Sequence, residues 1–293
     1  MVRQQNLKGG LTRREILKHG LYGGLAAGLA PSLWLSGCGK RQQGKRPNII
    51  LIVIDTLRAD HVACYGYQRN TTPNIDRLAR EGVLFKNAIS AAPWTQASIA
   101  TILTSQYPCV LGIHQKPALI DSRFLTLSQV LKQYNYTTHG VYTAGGLSPR
   151  LGLGRGFDNY CDLRSPRYGA GITSPNVTKE ALSFLGKSHK EPFFLFLHYF
   201  DPHYNYILHK QYNYYPNYRG RVKRNHSILD LWRKLDELSE DDVRYLLALY
   251  DSEITFTDEY IRKLLDELKK QGLYEDSVII VTADHGEAGS AIQ

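Results

Sequence analysis

The chain has 293 residues, of which 43% are hydrophobic and 22% are charged. This length and composition are those of a globular protein with one large core, and they exclude the disordered and fibrous classes. The formal net charge is +9, but the first 46 residues hold nine Lys or Arg and one acid, which leaves 27 basic against 26 acidic side chains. A nearly neutral body behind a basic leader favours a targeting segment, so we expect no nucleic acid among the partners.

The leader, residues 1–46, has the three parts of a bacterial export signal. A basic stretch contains Arg13 and Arg14, an apolar run covers residues 21–35, and Cys38 follows in the sequence Leu-Ser-Gly-Cys. The paired arginines resemble a twin-arginine signal, and the cysteine resembles the lipidation site of a lipoprotein. A transmembrane anchor is the alternative, but a run of about 15 residues falls short of the ~20 needed to span a bilayer. We therefore predict a periplasmic or otherwise extracytoplasmic protein of the cell envelope, attached to the membrane only through a lipid on Cys38.

Three further cysteines are Cys64, Cys109 and Cys161. Their spacings match no metal-binding or redox motif, so their default interpretation is as small core residues. Because an exported protein meets an oxidising environment, the sequence leaves open a disulfide between two of them.

From residue 47 onward, apolar and β-branched runs alternate with stretches of helical periodicity. Such runs indicate strands buried on both faces, and the helical period indicates amphipathic helices. In chain order the predicted elements are a strand at 48–55, a helix at 71–82, a helix that begins at or just after Thr95, a helix at 126–135, a strand at 137–144, a helix at 176–187, a strand at 192–200, a long helix at 239–270 and a strand at 277–284. The alternation predicts an α/β fold in which a mixed, mostly parallel sheet is sandwiched between helices.

Carboxylates and imidazoles follow three of the four predicted strands. Asp55 ends the first strand, Asp201 and His203 follow the third, and Asp284 and His285 end the fourth. The carboxyl ends of parallel strands meet at one edge of a sheet, where such sheets bind their ligands. Any one of these residues could be a loop cap, but together they predict a site for a divalent cation.

Thr95 stands where a helix is predicted to begin, in the segment SAAPWTQASIATILTS. Free backbone N–H groups and the helix dipole favour an anion at that position. A threonine hydroxyl beside a bound cation could be deprotonated and attack a phosphorus or sulfur centre. The alternative role, a plain threonine N-cap, is common in helices.

Six segments in chain order resemble the sulfatases of the alkaline-phosphatase superfamily. They are ILIVIDTLRADHVACYGY, TTPNIDRLAREGVLFKNAIS, APWTQASIATILTSQYP, HYFDPH, YDSEITFTDEYI and TADHGE. The resemblance implies a sulfatase-like fold and a bound divalent cation, for which the family favours calcium, with magnesium, manganese and zinc as alternatives. It implies the following site residues: Asp55, Asp284 and His285 as metal ligands, Thr95 as the nucleophile, and His203 as a substrate-facing catalytic histidine. Asp201, at the same predicted edge of the sheet, is expected as a further substrate contact.

The sequence also departs from the sulfatase pattern. Thr56 stands where family members often carry a second acid, and Ile99 replaces the arginine that would polarise the nucleophile. Formylglycine forms from cysteine or serine, whereas oxidation of Thr95 would give a ketone, so the formylglycine route is closed. Threonine nucleophiles are instead what the resemblance implies for the phosphodiesterase and phosphotransferase branches of the superfamily.

The chain resembles the family's N-terminal catalytic domain, over residues 47–293, and we expect it to be incomplete at its C-terminus. The function predicted is that of an exported, metal-dependent hydrolase acting on small or carbohydrate sulfuric esters or related phosphoesters. A phosphodiesterase or phosphotransferase and an inactive metal-binding and anion-binding remnant are the alternatives. A tyrosine-rich segment at 203–226 could stack sugars, although a solvated insertion is the more frequent explanation for such a segment. The oligomeric state is left open.

Overall fold

The computed structural model describes residues 46–164, 171–187, 192–222 and 237–287. The chain divides into two units, Met1–Arg46 and Pro47–Gln293. The predicted lipidation site at Cys38, and all of the predicted export signal except Arg46, fall outside the described residues. Within those residues, no helix is both long enough and apolar enough to cross a membrane.

The second unit is built on a five-stranded sheet. Its strands are β1 (Asn48–Ile54), β2 (Thr137–Tyr142), β3 (Asn159–Asp162), β4 (Phe193–Tyr199) and β5 (Ser277–Ala283). They lie in the order β3-β2-β4-β1-β5, and every pairing among them is parallel. The predicted α/β class is therefore confirmed, and β3 is a strand that the sequence did not predict.

Within the described ranges, five α-helices connect and cover the strands. They are α1 (Pro73–Glu81), α2 (Thr95–Thr104), α3 (Leu127–Gln133), α4 (Ser174–Leu185) and α5 (Glu240–Lys270). The start of α5 follows from its sequence: the Ser239 side chain accepts from the Asp242 N–H while the Asp242 side chain accepts from the Ser239 N–H. This capping box satisfies two backbone donors that a helix start would otherwise leave unpaired.

Helices cover both faces of the sheet, which explains why its central strands are almost continuously apolar. On one face, alternate residues of β1 and β4 such as Ile52 and Leu195 pack with α4 and α5. On the other face, the intervening residues such as Val53 and Phe196 pack with α2. Each fully buried side chain of this kind stabilises the fold by about 1.5–3 kcal/mol. The sheet is thus a rigid platform whose carboxyl edge can hold side chains in fixed positions.

Candidate metal and catalytic site

Two aspartates lie side by side just beyond the carboxyl edge of the sheet. In the register of β1 and β5, Ile54 lies opposite Ala283, so the residues that follow them, Asp55 and Asp284, are neighbours. Both side chains are completely buried. The sheet geometry therefore forces two carboxylates together without access to bulk water, an arrangement that raises the free energy of their charged forms.

His198 joins the two aspartates from β4. It lies opposite Val53, two residues before Asp55, and so projects from the same face of the sheet as Asp55. Its Nε2 is 3.5 Å from Asp55 Oδ2, and its Nδ1 is 2.7 Å from the Thr143 hydroxyl oxygen. His198 was not predicted as a site residue, because a histidine inside a strand of phenylalanines and leucines is typical of the core.

The orientation of Asp284 is fixed by backbone donors. Its Oδ1 accepts hydrogen bonds from the Thr56 N–H at 3.1 Å and from the His285 N–H at 2.7 Å. Thr56 adopts a φ of 55°, a left-handed conformation that is unfavourable for a β-branched residue. This strained turn aims a backbone N–H at one oxygen of Asp284, and it leaves the other oxygen, Oδ2, facing the site.

Helix α2 brings Thr95 to the same cluster. Trp94 is the N-cap residue and Thr95 is the first residue of the helix, so the Thr95 hydroxyl does not cap it. That hydroxyl instead lies 3.4 Å from Nε2 of His285. One turn later, the Ser98 hydroxyl donates to the Asp284 carbonyl oxygen at 2.5 Å and ties α2 to the end of β5. The helix start therefore presents a hydroxyl, not a cap, to the buried acids.

Burial and like charges dominate the electrostatics of the site. The pKa of Asp55 is raised well above its usual value, first by burial and then by the charges of Asp284 and Glu287. Burial also raises the pKa of Asp284. Burial, followed by the charges of His203 and His285, lowers the pKa of His198 to about 3. Free of any cation, the cluster favours neutral acids and a neutral imidazole.

The donor set fits a divalent cation. Four of its atoms are buried and lack a hydrogen-bond partner among the described residues: Asp55 Oδ1, Asp55 Oδ2, Asp284 Oδ2 and His198 Nε2. Donor atoms of Asp55, His198 and Asp284 all lie within 4.8 Å of one another. His285 Nε2 lies 3.7 Å from Asp55 Oδ1 and 3.5 Å from Asp284 Oδ2. A cation at this point would satisfy orphaned acceptors that the protein itself leaves without partners.

His203 lies close enough to His198 and His285 for their charges to interact, and it is partly buried. Its ring stacks on Phe200 with centroids 4.4 Å apart, and its Nδ1 donates to the Tyr204 carbonyl oxygen at 3.1 Å. Burial lowers the pKa of His203 to about 4, and the charge of His285 acts in the same direction. The ring is therefore neutral at neutral pH, with Nε2 available as a proton acceptor.

Asp201, expected as a substrate contact, has a different role. Its carboxylate accepts hydrogen bonds from the N–H and the hydroxyl groups of both Thr173 and Ser174, at distances from 2.5 to 2.9 Å. Only 4% of Asp201 is exposed. Both oxygens are committed to the N-terminus of α4, so Asp201 does not belong in a substrate pocket. Of the residues predicted at the sheet edge, Asp201 therefore has the alternative role of a loop cap.

The structure thus brings together Asp55, Asp284, His285 and Thr95, adds His198, and places His203 beside them. Ile99, at the position where the resemblance places an arginine, is completely buried in the core under α2. Ile99 therefore supplies no charge beside the Thr95 hydroxyl.

Comparison with known proteins agrees with this fold. The sequence model of a protein family described as Sulfatase matches residues 47–291. The ulvan-active sulfatase of Formosa agariphila is 26% identical over 275 residues, which cover 85% of this chain and 52% of the relative. This chain therefore spans about half the length of that relative.

Solved structures with the same fold include two proteins of different description. Ps i-CgsB in complex with k-i-k-neocarrahexaose has a TM-score of 0.62 at 24% identity, over 82% of this chain and 58% of that one. The phosphonate monoester hydrolase of Agrobacterium radiobacter has a TM-score of 0.62 at 18% identity, over 83% of this chain and 63% of that one. At these identities the likeness establishes the fold alone.

Proposed function

Because this chain belongs to the sulfatase family over residues 47–291, we propose that it is a metal-dependent hydrolase of sulfuric or phosphoric esters with Thr95 as its nucleophile. The observation that carries the proposal is the position of the Thr95 hydroxyl, 3.4 Å from His285 Nε2 and beside buried aspartate oxygens that lack hydrogen-bond partners among the described residues. A threonine that served only the helix would not need these neighbours. The competing interpretation, an inactive protein that keeps the cation site, is an outcome of the experiment below.

We assign the cation to Asp55, Asp284, His285 and His198. When bound, the cation supplies positive charge that lowers the pKa of the Thr95 hydroxyl and neutralises the oxygens of the ester. Calcium prefers six to eight oxygen ligands, whereas two imidazoles with two carboxylates suit zinc or manganese better. Because Thr56 stands in place of an acid, the site has one negative charge fewer. This difference also favours zinc or manganese over calcium.

In the proposed reaction, Thr95 Oγ1 forms a bond to the phosphorus or sulfur centre as the ester oxygen leaves. His203 Nε2 carries the proton from the hydroxyl to the departing oxygen, and a water molecule then hydrolyses the ester formed on Thr95. A sulfate on threonine would need a second displacement at sulfur, whereas a phosphoryl group on threonine is open to in-line attack by water. We therefore expect phosphoester activity at least comparable with sulfatase activity.

The relatives include proteins of both kinds. The ulvan-active sulfatase matches 85% of this chain, and the phosphonate monoester hydrolase shares its fold. The structure of Ps i-CgsB contains a neocarrahexaose. We propose a sulfated or phosphorylated carbohydrate or small ester as the substrate class of this chain, with Thr95 shifting the balance toward phosphorus.

The test compares hydrolysis of 4-nitrophenyl sulfate, 4-nitrophenyl phosphate and 4-nitrophenyl phenylphosphonate by the metal-stripped chain with calcium, magnesium, manganese or zinc added back. Thr95→Ala should lower kcat/KM at least about 1,000-fold on every active substrate. Thr101→Ala is the matched control, because among the described residues the Thr101 hydroxyl bonds only to the Ala97 carbonyl within the same helix.

Each remaining outcome is decisive. Turnover of the sulfate without either phosphorus ester would contradict the preference for phosphorus. If the chain hydrolyses none of the three substrates but binds a cation, and Asp284→Ala abolishes that binding, the protein is a cation-binding protein and not an enzyme. Turnover that survives Thr95→Ala would remove the threonine from the chemistry.

We further propose export of the protein and lipidation at Cys38. This proposal rests on the sequence of residues 1–46 alone. Fusion of this leader to a reporter should deliver the reporter to the cell envelope by the twin-arginine route, and replacing Arg13 and Arg14 by lysine should keep it in the cytoplasm. A reporter that still reaches the envelope after both replacements would contradict the twin-arginine assignment.

A further inference from the structure

A second cluster of metal-ligand side chains lies away from the site described above. It consists of His139 on β2, Cys161 on β3 and Glu180 on α4, and their ligand atoms all lie within 4.8 Å of one another. Strand β4 separates β2 and β3 from β1 in the sheet. His139 shares its face with Val141, which packs in the core under α4 and α5, whereas Asp55 lies on the opposite face. The two clusters are therefore distinct.

The spacing of the three ligand atoms matches a tetrahedral zinc site. His139 Nε2 lies 3.2 Å from Glu180 Oε1, Cys161 Sγ lies 3.7 Å from the same oxygen, and Sγ lies 3.9 Å from Nε2. With Zn–S near 2.3 Å and Zn–N and Zn–O near 2.0–2.2 Å, tetrahedral geometry requires separations of about 3.4–3.6 Å. Each observed separation is within a few tenths of an ångström of that range, so an ion could enter without moving the backbone.

The surroundings hold the ligands in place and leave a route for the ion. The His139 ring stacks on Phe184 with centroids 4.6 Å apart, and only 2% of the histidine side chain is exposed. The Glu180 side chain is 32% exposed, and Cys161 is half-buried. Two strands and a helix thus contribute one ligand each, and the side of the cluster at Glu180 is open to solvent for a fourth, water ligand.

We propose that His139, Cys161 and Glu180 form a zinc site that joins β2, β3 and α4, with water as the fourth ligand. Binding replaces the thiol proton of Cys161 by a sulfur–zinc bond, and the proton leaves to solvent. Imidazole, thiolate and carboxylate are the three ligand types that zinc takes in proteins, and a thiolate disfavours calcium and magnesium. The sequence spacing gave no sign of this site because each ligand comes from a different element.

The test uses cobalt as a spectroscopic substitute for zinc on the full-length chain, stripped of metal and kept reduced. A thiolate-to-cobalt charge-transfer band should appear with one equivalent of cobalt at this site and disappear when zinc is added. The band should persist in Asp284→Ala, because the cluster at the sheet edge contains no thiol. It should vanish in Cys161→Ser and persist in Cys64→Ser, a matched control whose cysteine is also half-buried against the same core.

A second variant covers a failure of Cys161→Ser to fold. Glu180→Gln changes a partly exposed side chain, and it should weaken cobalt binding at least about 10-fold while the band keeps its shape. In the Asp284→Ala background, zinc at about 100 times its dissociation constant should raise the Tm by about 5–10 °C. The absence of a band, a band that survives Cys161→Ser, or a band lost in Asp284→Ala would each overturn the zinc site.

Discussion

Burial of the Asp55 carboxylate is energetically unfavourable, and the contacts of the folded chain do not compensate for it. The side chain is completely buried, neither oxygen has a hydrogen-bond partner among the described residues, and the charges of Asp284 and Glu287 oppose its own. An unpaired charge in such surroundings is destabilising by several kcal/mol, so the group either keeps a proton or meets a cation. Binding of a cation, as proposed above, would account for this buried carboxylate, whereas the stability of the metal-free fold does not.

Asp55→Asn should separate these two effects. The amide has the shape of the carboxylate without its charge, so we expect the metal-free variant to be more stable than the metal-free parent by about 1–3 kcal/mol. Asp55→Asn also removes a proposed metal ligand. A cation that raises the Tm of the parent should therefore no longer raise the Tm of this variant. Thermal unfolding with a chelator and with each added cation measures both effects.

The matched control for Asp55→Asn is Asp121→Asn. The Asp121 side chain is 55% exposed, and its ion pair with Arg123 at 3.7 Å is a surface contact. We expect this control to change stability by less than about 0.5 kcal/mol and to keep the response to metal. A metal-free Asp55→Asn protein that is less stable than its parent would show that the carboxylate has a structural role.

Single residues of the site differ in how far the sequence predicts them. Asp55, Asp284 and His285 follow strands, and strand ends are readable from apolar runs. His198 lies inside such a run, and only the register with β1 shows that it faces Asp55. Asp201 also follows a strand, yet it turns to the start of α4, a contact that depends on how the 171–173 segment approaches the sheet. Burial of a polar residue in a core strand was the one available signal for His198.

At the scale of elements, the start of α4 depends on a single carboxylate. Asp201 accepts from two backbone N–H groups and two hydroxyl groups at that helix start. Asp201→Ala should lower the free energy of unfolding by about 2–4 kcal/mol, because these buried donors lose their acceptor and cannot reach water. Chemical denaturation of the metal-free variant and its parent measures the loss.

Glu240→Ala is the control for Asp201→Ala. Glu240 also stands in the first turn of a helix, α5, but its side chain is 89% exposed. We expect a change of less than about 0.5 kcal/mol there, because an exposed acid near a helix dipole contributes little. A variant Asp201→Ala with unchanged stability and weakened substrate binding would restore the predicted substrate contact.

Elements with strong local signals were predicted closely. Helix α5 was expected at 239–270 and spans Glu240–Lys270, since Ser239 and Asp242 form a capping box that the apolar stripe follows. Strand β3 has only four residues, Asn159–Asp162, and none of them is fully buried. Its extended form comes from pairing with β2, a long-range contact that local periodicity does not encode.

At the scale of the whole molecule, alternation of strands and helices predicted the class but not the order of strands. The order β3-β2-β4-β1-β5 places β4 between β2 and β1, and that position brings His198 to the site. The same order puts His139 and Cys161 on adjacent strands. Contacts of this kind depend on the direction and length of the crossover connections, which the sequence pattern does not indicate. For this reason neither His139 nor His198 was predicted as a site residue.

Strand β5 is an edge strand of the sheet. Among the described residues, β5 pairs only with β1, so its outer row of backbone groups has no strand partner there. Val278 is 47% exposed and Ile280 is 43% exposed, and both point away from the core cluster that holds Ile279 and Val281. Apolar residues on an open strand edge favour pairing with another chain.

We therefore expect this chain to self-associate with increasing concentration, and Ile280→Lys to reduce the association by placing a charge on the exposed face of β5. The lysine should cost less than about 1 kcal/mol of stability, because the parent side chain is only half-buried and lysine can keep its stem against the sheet. Sedimentation velocity over a range of concentrations measures the effect. Val83→Lys is the control, since Val83 is 79% exposed but lies outside every strand. If both substitutions reduce self-association equally, the association is non-specific and does not use the β5 edge. If the parent is monomeric at all concentrations, the β5 edge is not an association site.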